Sequence, residues 1–406
     1  MENPKIRFKG FTKDWEQRKL GDVFEQTSNL VNPKEDEIEL WSLTVEDGLT
    51  QKSDRYNREF LVKKDDNFKE VRPGDIVYNP MNMTLGAVGY NGMAKSVAVS
   101  GYYTTMVAKE NYDTYYINTW LKSPQAIRLY RTYATGSLIE KQRVQFPTLS
   151  IIPVTFPKYE EQTKIGSYFH SLDHLITLHQ RKCEQTKKLK KYMLQKMFPQ
   201  NGEKIPKIRF DGFTYDWEQR KLGDMGSTFT GLSGKTKENF GHGDAQFITY
   251  MNVFSNPVAN LEMTEAVEID AKQNCVKKGD VFFTTSSETP EEVGMSCVMP
   301  ENKDNIYLNS FCFGYRPTEK FDLDYLAYVL RADSFRQEMT FLAQGISRYN
   351  ISKNKVMEVS IPIPNLEEQT MVGRYFSNLD HLITLHQRKC DELKKMKKYM
   401  LQNMFI

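Results

Sequence analysis

The chain has 406 residues, of which 26% are charged and 12% are aromatic, and its formal net charge at pH 7 is +3. This length accommodates two domains with separate cores, and no apolar run approaches the ~20 residues of a membrane span, so we expect no membrane partner. The charge balance alone is too even to indicate a nucleic-acid partner, and the five cysteines form no close pair, which predicts free thiols in a reducing cytoplasm rather than disulfides or zinc.

The chain contains two pairs of nearly identical segments separated by long stretches that barely resemble each other. The first pair differs at two positions and the second pair is identical. A repeated frame that carries two unlike inserts indicates one scaffold with two different recognition surfaces. The pairs are Pro4–Asp22 with Pro206–Asp224, and Leu172–Cys183 with Leu379–Cys390.

The inserts, roughly residues 23–155 and 225–362, each contain strand-like and helix-like segments. In the first insert we predict strands over 75–79 and 96–100 and a helix around 117–130. In the second insert we match these with strands over 280–285 and 311–315 and a helix around 323–342. The inserts are therefore expected to share a fold while their loops differ, as two specificities on one fold require.

A long helix is predicted after each insert. Pro157 and Pro364 precede the helices, an acidic pair lies in each first turn, and lysines crowd the far end, as suits the helix dipole. The first helix is expected to end near Met197 and the second to run to the chain end. We favour an antiparallel pair of these two helices, and the alternative is that each binds an outside helix. The heptad seam that supports this comprises Ile165, Phe169, Leu172, Ile176, His179 and Cys183, repeated as Val372, Phe376, Leu379, Ile383, His386 and Cys390.

No motif indicates catalysis. The segment 231–236 resembles a phosphate-binding loop, but Phe229 stands where that loop needs glycine. A metal site at His174, His179 and Cys183 is less favoured than a place for the last two in the helix seam. By elimination, the chain is expected to be a binder rather than an enzyme.

The evidence for nucleic acid is local. Residues 181–196 carry seven lysines and arginines against the single acid Glu184, and the alternative interpretation is a solvated helix face. Loops at corresponding places in the inserts, 136–143 and 347–350, mix basic, amide and hydroxyl groups. Such groups can read base edges or bind phosphates.

The order of these parts resembles the specificity subunit of type I restriction–modification systems, over essentially the whole chain. The resemblance is carried by Trp-Glu-Gln-Arg-Lys-Leu-Gly-Asp at the start of each insert and by a Gly-Asp strand opening within it. It is also carried by Pro157–Gln162 and Ile361–Gln369, each of which leads into a helix with Leu-Asp-His-Leu-Ile.

The resemblance implies an α+β chain with two pseudo-symmetric target recognition domains separated by two long antiparallel coiled-coil helices. It implies a non-catalytic subunit that reads the halves of a bipartite, asymmetric site in double-stranded DNA. Two methyltransferase (modification) subunits would bring S-adenosylmethionine, and restriction subunits would bring ATP and Mg²⁺. The expected boundaries are 1–156 for the first motif and domain, 157–198 for the central helix, 199–222 for the linker and repeated motif, 223–362 for the second domain, and 363–406 for the last helix.

The residues expected to contact DNA are chosen on chemistry, because the resemblance does not assign them. A different class of function, a protein assembly scaffold that does not bind DNA, is kept as the alternative, and a lone nucleic-acid enzyme is disfavoured. The candidates are Asn79, Asn82, Thr84, Lys141 and Arg143 in the first insert, and Lys235, Lys237, Thr285, Ser286, Ser287, Arg348, Tyr349 and Asn350 in the second.

Overall fold

The structure, a computed structural model, describes residues 3–51, 67–136, 142–200 and 202–406. The chain forms two compact units. Unit 1 comprises Met1–Gln180 with Arg388–Ile406, and unit 2 comprises Arg181–Gln387. Each unit thus combines one insert with a segment of both long helices. None of the helices in these ranges has the length and apolarity of a membrane span.

The elements up to the first long helix alternate short strands with short helices. In chain order they are β1 (Glu16–Lys19), α1 (Leu20–Val23), β2 (Phe24–Thr27), β3 (Leu30–Val31), β4 (Trp41–Thr44), β5 (Gly48–Gln51), β6 (Phe68–Val71), β7 (Ile76–Tyr78), β8 (Val88–Tyr90), β9 (Val97–Ser100), β10 (Thr104–Ala108), α2 (Thr114–Leu121), α3 (Pro124–Tyr133), α4 (Phe146–Ser150), β11 (Pro153–Phe156) and α5 (Tyr159–Lys196).

The rest of the chain repeats this pattern with different lengths. The elements are β12 (Glu218–Lys221), β13 (Gly226–Thr230), β14 (Phe240–Ile248), α6 (Tyr250–Ser255), β15 (Thr264–Val267), β16 (Val281–Thr284), β17 (Ser286–Ser287), β18 (Ser296–Val298), β19 (Ile306–Leu308), β20 (Cys312–Pro317), α7 (Leu323–Val329), α8 (Asp333–Leu342), β21 (Tyr349–Asn350), α9 (Lys353–Met357), β22 (Ser360–Ile363) and α10 (Leu366–Asn403).

A four-stranded antiparallel sheet forms the centre of each insert. Its strand order is β2-β10-β7-β8 in unit 1 and β13-β20-β16-β18 in unit 2. Strands β7 and β16 are fully buried because they read as short apolar runs with a neighbour on both sides. The prediction that the inserts share a fold is confirmed for this sheet.

One predicted match between the inserts is wrong. The strand over 96–100 is β9, whose counterpart before the last sheet strand is β19, whereas the strand over 311–315 is β20 and corresponds to β10. Both strands are short and apolar, so sequence alone did not distinguish the neighbours. The smaller three-stranded sheets also differ, since β6 and β9 are antiparallel whereas β14 and β19 are parallel.

The single helix predicted in each insert is in fact two helices. In unit 1, Ser123 caps α3 by accepting a hydrogen bond from Ala126 N, and Pro124 occupies the first helical position. Serine followed by proline is a typical helix start, and it separates α3 from α2. In unit 2 the backbone of Ala332 is extended between α7 and α8.

The long helices begin and end where the sequence predicts, and their seam is largely buried. Within unit 2, Lys190 of α5 forms an ion pair with Asp380 of α10, and Cys183 lies against Ile383. Within unit 1, Lys397 pairs with Asp173. In these contacts the residue number rises along α5 while it falls along α10, so the two helix segments of unit 2 are antiparallel. In unit 1, Phe169 stacks on Phe405, which gives the same direction.

The end of a long helix lies against a repeated N-terminal motif in both units. Ile208 N donates to Lys196 O in unit 2, and Ile6 N donates to Asn403 O in unit 1, both at 2.9 Å. The first contact joins neighbours along the chain, whereas the second joins residues almost 400 positions apart. The expectation that the second helix ends beside the Pro4–Asp22 motif is therefore confirmed. Trp15 and Trp217 are buried in equivalent settings near these helix ends.

Candidate nucleic-acid interface

The repeated sequence builds a frame that supports each insert. Glu161 and Glu368, in the first turn of the long helices, accept paired hydrogen bonds from Arg7 and Arg209, respectively. Their side chains are 3% and 1% exposed, so these acids act inside the protein and not on a ligand. The pKa values of both arginines are raised, chiefly by these hydrogen bonds.

The glutamines that follow these acids join the helices to the inserts. Gln162 Oε1 accepts from Asp113 N and Gln369 Oε1 from Asp322 N, each at 3.1 Å, at the start of α2 and α7. These contacts require that each long helix lies close to the start of the short helix, and glycine in the long helix allows this. A Cβ on Gly373 would lie 2.5 Å from Tyr325 N, so only glycine fits this part of α10.

Two loops meet at the end of the central sheet in each unit. The first, here called the strand-end loop, follows β7 (residues 79–85) or β16 (residues 285–292). The second, the hairpin loop, follows α3 (described at residues 135–136 and 142–143) or α8 (residues 344–350). Val144 N donates to Pro80 O at 3.0 Å in unit 1, and Ile351 N donates to Thr285 O at 2.9 Å in unit 2. These paired loops therefore occupy the same place in both units.

In unit 1 the paired loops bring four of the five predicted residues together. Asn79 Oδ1 accepts from Met81 N at 3.0 Å, which leaves its amide NH₂ for a ligand. Asn82 is exposed, Thr84 is half-buried in a 3₁₀ turn, and Arg143 is exposed with its backbone bonded to Thr135. Lys141, the fifth, lies outside the described residues.

In unit 2 six predicted residues meet in the paired loops, because β17 and β21 form a two-stranded ladder. Ser286 lies opposite Asn350 and Ser287 opposite Tyr349. The two serines are 6% and 7% exposed. Ser287 Oγ donates to Glu292 Oε2 at 3.2 Å, so this hydroxyl has an internal partner.

The accessible chemistry of these loops lies mainly on the hairpin loop. Arg348 and Asn350 are exposed and Tyr349 is half-buried. Thr285 Oγ1 donates to Phe311 O at 2.8 Å, and this hydrogen bond ties the strand-end loop to the residue before β20. The paired loops of unit 2 thus offer a guanidinium and an amide, the groups suited to guanine and adenine edges.

The two predicted lysines of unit 2 lie on a separate loop and differ in state. Lys235 Nζ is 3.1 Å from Asp270 Oδ2 and its side chain is 11% exposed, whereas Lys237 is exposed. The pKa of Asp270 is lowered to about 2, first by the Lys272 backbone N–H and then by Gln273 and Lys235. Leu232 N donates to Leu308 O at 2.7 Å, which brings this loop to the turn before β20.

Sequence reasoning missed the turn between the last two strands of each insert. Residues 101–103 join β9 to β10, and residues 309–311 join β19 to β20. Tyr102 is 87% exposed and Phe311 is 58% exposed. The aromatic residues were visible in the sequence of both inserts, but an isolated aromatic residue between strands usually indicates a core position. Only the packing in the structure distinguishes an exposed ring from a buried one.

The basic end of α5 is only partly available to a ligand. Lys190 pairs with Asp380 and its pKa is lowered, mainly by burial, while Lys187 pairs with Glu184. Arg181, Lys182 and Lys188 remain exposed. Within the described parts of the chain, no group of three His, Cys, Asp or Glu side chains could hold a metal ion.

Comparison with known families agrees with the presence of two equivalent sets of paired loops, one in each unit. The family described as "Type I restriction modification DNA specificity domain" matches residues 12–188 and 215–395. The chain belongs to this family. The two matched ranges each contain one specificity domain with its central sheet and paired loops.

The chain is also similar to specificity subunits over most of their length. The type I restriction enzyme MjaVIII specificity subunit of Methanocaldococcus jannaschii is 24% identical over 86% of this chain and 83% of the relative. The putative type I restriction enzyme MjaX specificity subunit of the same organism is 23% identical over 96% of this chain and 92% of the relative.

Solved structures share the fold. The crystal structure of the type I restriction–modification S subunit from M. genitalium has a TM-score of 0.63 and 15% identity, and the match covers 100% of this chain and 99% of that one. A chain from a study of assembly and conformational transition of the type I R-M system has a TM-score of 0.52 and 15% identity, over 96% of this chain and 97% of that one. The two relatives from Methanocaldococcus jannaschii are named specificity subunits, which agrees with the expectation that this chain is a binder rather than an enzyme.

Proposed function

We propose that this chain reads a bipartite, asymmetric site in double-stranded DNA, one half-site with the paired loops of each unit. One observation carries the proposal. The paired loops occupy the same place on the same central sheet in both units, yet they present different side chains. Unit 1 presents Asn79, Asn82 and Arg143 there, whereas unit 2 presents Arg348 and Asn350. Equivalent position with unlike chemistry suits two unlike half-sites.

The second part of the proposal is that the chain directs two methyltransferase subunits and the restriction subunits to that site. Equivalent positions on the long helices expose apolar side chains, such as Leu189 with Met396 and Tyr192 with Tyr399. Two equivalent apolar surfaces are suited to two copies of one partner. S-adenosylmethionine, ATP and Mg²⁺ belong to the partner subunits in this proposal. The cytoplasm is the proposed location, supported by five cysteines that are all free.

Exchange of one insert tests the modular part. Residues 225–362 would be replaced by the corresponding insert of another family member, and the chain would be purified with its methyltransferase subunits. Modified bases are then mapped in DNA from cells that carry the hybrid complex. One half of the methylated site should change and the other should stay. A hybrid that folds and methylates but changes both halves, or neither, contradicts the assignment of one half-site to each unit.

The alternative, a protein scaffold that does not bind DNA, predicts a different salt response. Binding of the assembled complex to a duplex that contains its site is measured between 50 and 200 mM salt. Phosphate contacts release counterions, so the logarithm of affinity should fall linearly with the logarithm of salt concentration. A flat or absent response, with the complex intact, favours the scaffold.

A further inference from the structure

Each unit carries a largely exposed aromatic ring on a turn that borders the paired loops. The turns, residues 101–103 and 309–311, contain three residues each and precede equivalent strands of the central sheet. Tyr102 is 87% exposed and Phe311 is 58% exposed. A single exposed ring is common on a protein surface, but two rings exposed at one equivalent position beside the candidate loops indicate a shared use.

The turns are directly joined to the loops that carry the candidate DNA contacts. In unit 2, Thr285 donates to Phe311 O twice, from its backbone N at 3.0 Å and from Oγ1 at 2.8 Å. In unit 1, Thr104 lies opposite Tyr78, the residue that precedes the strand-end loop. The turn before Thr104 therefore borders the same loop in unit 1.

The backbone of each turn is held by hydrogen bonds within the turn and to residues outside it. In unit 2, Phe311 N donates to Asn309 Oδ1 at 2.9 Å, while Asn309 Nδ2 donates to Ile248 O at 2.9 Å. In unit 1, Gly101 N donates to Asn67 O at 2.9 Å, and Lys69 Nζ donates to Tyr103 O at 2.7 Å. A fixed turn presents its ring at little entropic cost on binding, which is the property of a preorganised contact.

We propose that Phe311 and Tyr102 stack on bases of the DNA, each by partial insertion at one base step of the half-site that its unit reads. This inference rests on the proposed function. Exposed Arg348 and Asn350, on the hairpin loop that meets Thr285, supply the charge and hydrogen-bonding groups of a DNA-facing surface, and the ring adds a flat apolar face. Aromatic and other apolar side chains on DNA-binding surfaces insert between base steps and unstack them.

Stacking separates the roles of the ring and the loops. Arg348 and Asn350 read base edges by hydrogen bonds, whereas the ring selects a step that unstacks easily. Pyrimidine–purine steps deform most readily, so we expect such a step at the position of each ring. The ring then contributes to sequence preference at a position where no side chain contacts a base edge.

The test uses the full chain assembled with its methyltransferase subunits and a duplex with 2-aminopurine placed at each position of the second half-site in turn. Insertion should raise the 2-aminopurine fluorescence at one step. Phe311→Ala should abolish that signal and weaken binding by about 5- to 150-fold, the range for loss of one base–aromatic stack. Because phosphate contacts remain, the slope of affinity against salt should not change.

Matched variants separate stacking from general damage. Tyr215 is 76% exposed in unit 2 but lies in the repeated motif, so Tyr215→Ala should leave both binding and fluorescence unchanged. Tyr102→Ala should act on the first half-site only. Tyr102→Phe should retain binding because it retains the ring.

The outcomes distinguish this inference from the function on which it rests. If the unaltered complex binds its site with steep salt dependence but Phe311→Ala changes neither affinity nor fluorescence, stacking is wrong and the proposed function stands. If Phe311→Ala instead releases a methyltransferase subunit while the fluorescence pattern persists, the ring is a protein contact and stacking is again wrong. If the unaltered complex shows no salt-dependent binding, the proposed function itself fails.

Discussion

The guanidinium of Arg209 and the carboxylate of Glu368 form two parallel hydrogen bonds, 2.7 Å from Nε to Oε1 and 2.8 Å from Nη2 to Oε2. Arg7 and Glu161 repeat both distances in unit 1. The settings differ in one respect. Glu368 also accepts from Trp217 Nε1 at 3.1 Å, whereas Trp15 Nε1 is buried and has no hydrogen-bond partner among the residues that the structure describes.

Removal of either acid should destabilise its own unit. Glu161→Ala and Glu368→Ala each leave a partly buried guanidinium unpaired, which costs about 3–5 kcal/mol. Glu368→Ala should cost about 1 kcal/mol more, because it also removes the tryptophan's acceptor. Urea unfolding followed by tryptophan fluorescence measures both. The exposed neighbours provide controls, and Glu160→Ala or Glu367→Ala should change the free energy of unfolding by less than about 0.5 kcal/mol.

Lys122 should make the stability of unit 1 depend on pH in the alkaline range. Burial lowers the pKa of Lys122 to about 8, and the charge of Lys397 adds to the effect while Asp173 and Asp47 oppose it. Between about pH 8 and the unfolded value near 10.4, the unfolded chain binds more protons at this site. The contribution of Lys122 to stability is therefore present above pH 10.4 and lost as pH falls through about 8.

The comparison with Lys122→Met measures this contribution. The substitution should stabilise unit 1 at pH 7, by up to about 3 kcal/mol, and the gain should shrink towards pH 10. Because the tyrosines titrate alike in both proteins, they cancel in the difference. An equal gain in stability at pH 7 and pH 10 would show that burial does not lower the pKa of Lys122.

Arg348→Ala should weaken specific binding by about 1–3 kcal/mol and relax the sequence requirement at one position of the second half-site. The guanidinium is exposed on the hairpin loop, where it can pair with guanine. Affinities for duplexes with each base substituted in turn give the result. A uniform loss over all substituted duplexes, with a shallower salt slope, would make Arg348 a phosphate contact.

Lys237 and Lys235 should respond differently although they are two residues apart. Lys237 is exposed, so Lys237→Ala should weaken binding to all duplexes and reduce the salt slope by about 1 if the lysine contacts phosphate. Lys235 is held by Asp270, so Lys235→Ala should leave the salt slope unchanged. Affinity measured at several salt concentrations distinguishes them, and the reverse pattern would exchange their roles.

A circular permutant should fold and keep its specificity. Ile406 would be joined to Met1 by a short linker and the chain opened between 199 and 205, because the helix end and the first motif already meet at Ile6 and Asn403. Size-exclusion chromatography and methylation of the original site provide the readout. A permutant that assembles with its partners but has lost specific binding would show that the junction needs the original chain order.

The local signals in the sequence predicted the frame well. The long helices were predictable because their apolar period is local and repeated, and β7 and β16 because a short apolar run between turn signals fits a buried strand. The break between α7 and α8 was not predictable. Arg331 there donates to backbone carbonyls of Val253, Phe254, Asn256 and Ser296, which are distant in sequence.

The candidate site was predictable in its loops but not in the state of its side chains. The chemistry of residues 348–350 and of Asn79 and Asn82 indicated loops that could read DNA, and the structure brings those loops together. The engagement of Lys235 by Asp270 depends on a loop 35 positions away. The exposure of Tyr102 and Phe311 depends on the packing of a whole sheet, which no local pattern reports.

Each unit needs residues at the end of a long helix to complete its core. This requirement reverses the order in which the two units can be completed during synthesis. The core of unit 1 includes Met404 and Phe405, and Phe405 stacks on Phe169 at 5.7 Å. Unit 1 begins the chain, yet the ribosome must deliver α10 to its end before that core is closed. Unit 2 takes its equivalent ring, Phe198, from the residues just after α5, and needs α10 only as far as Leu379 for its core. Loss of residues 388–406 should therefore damage the unit that was made first.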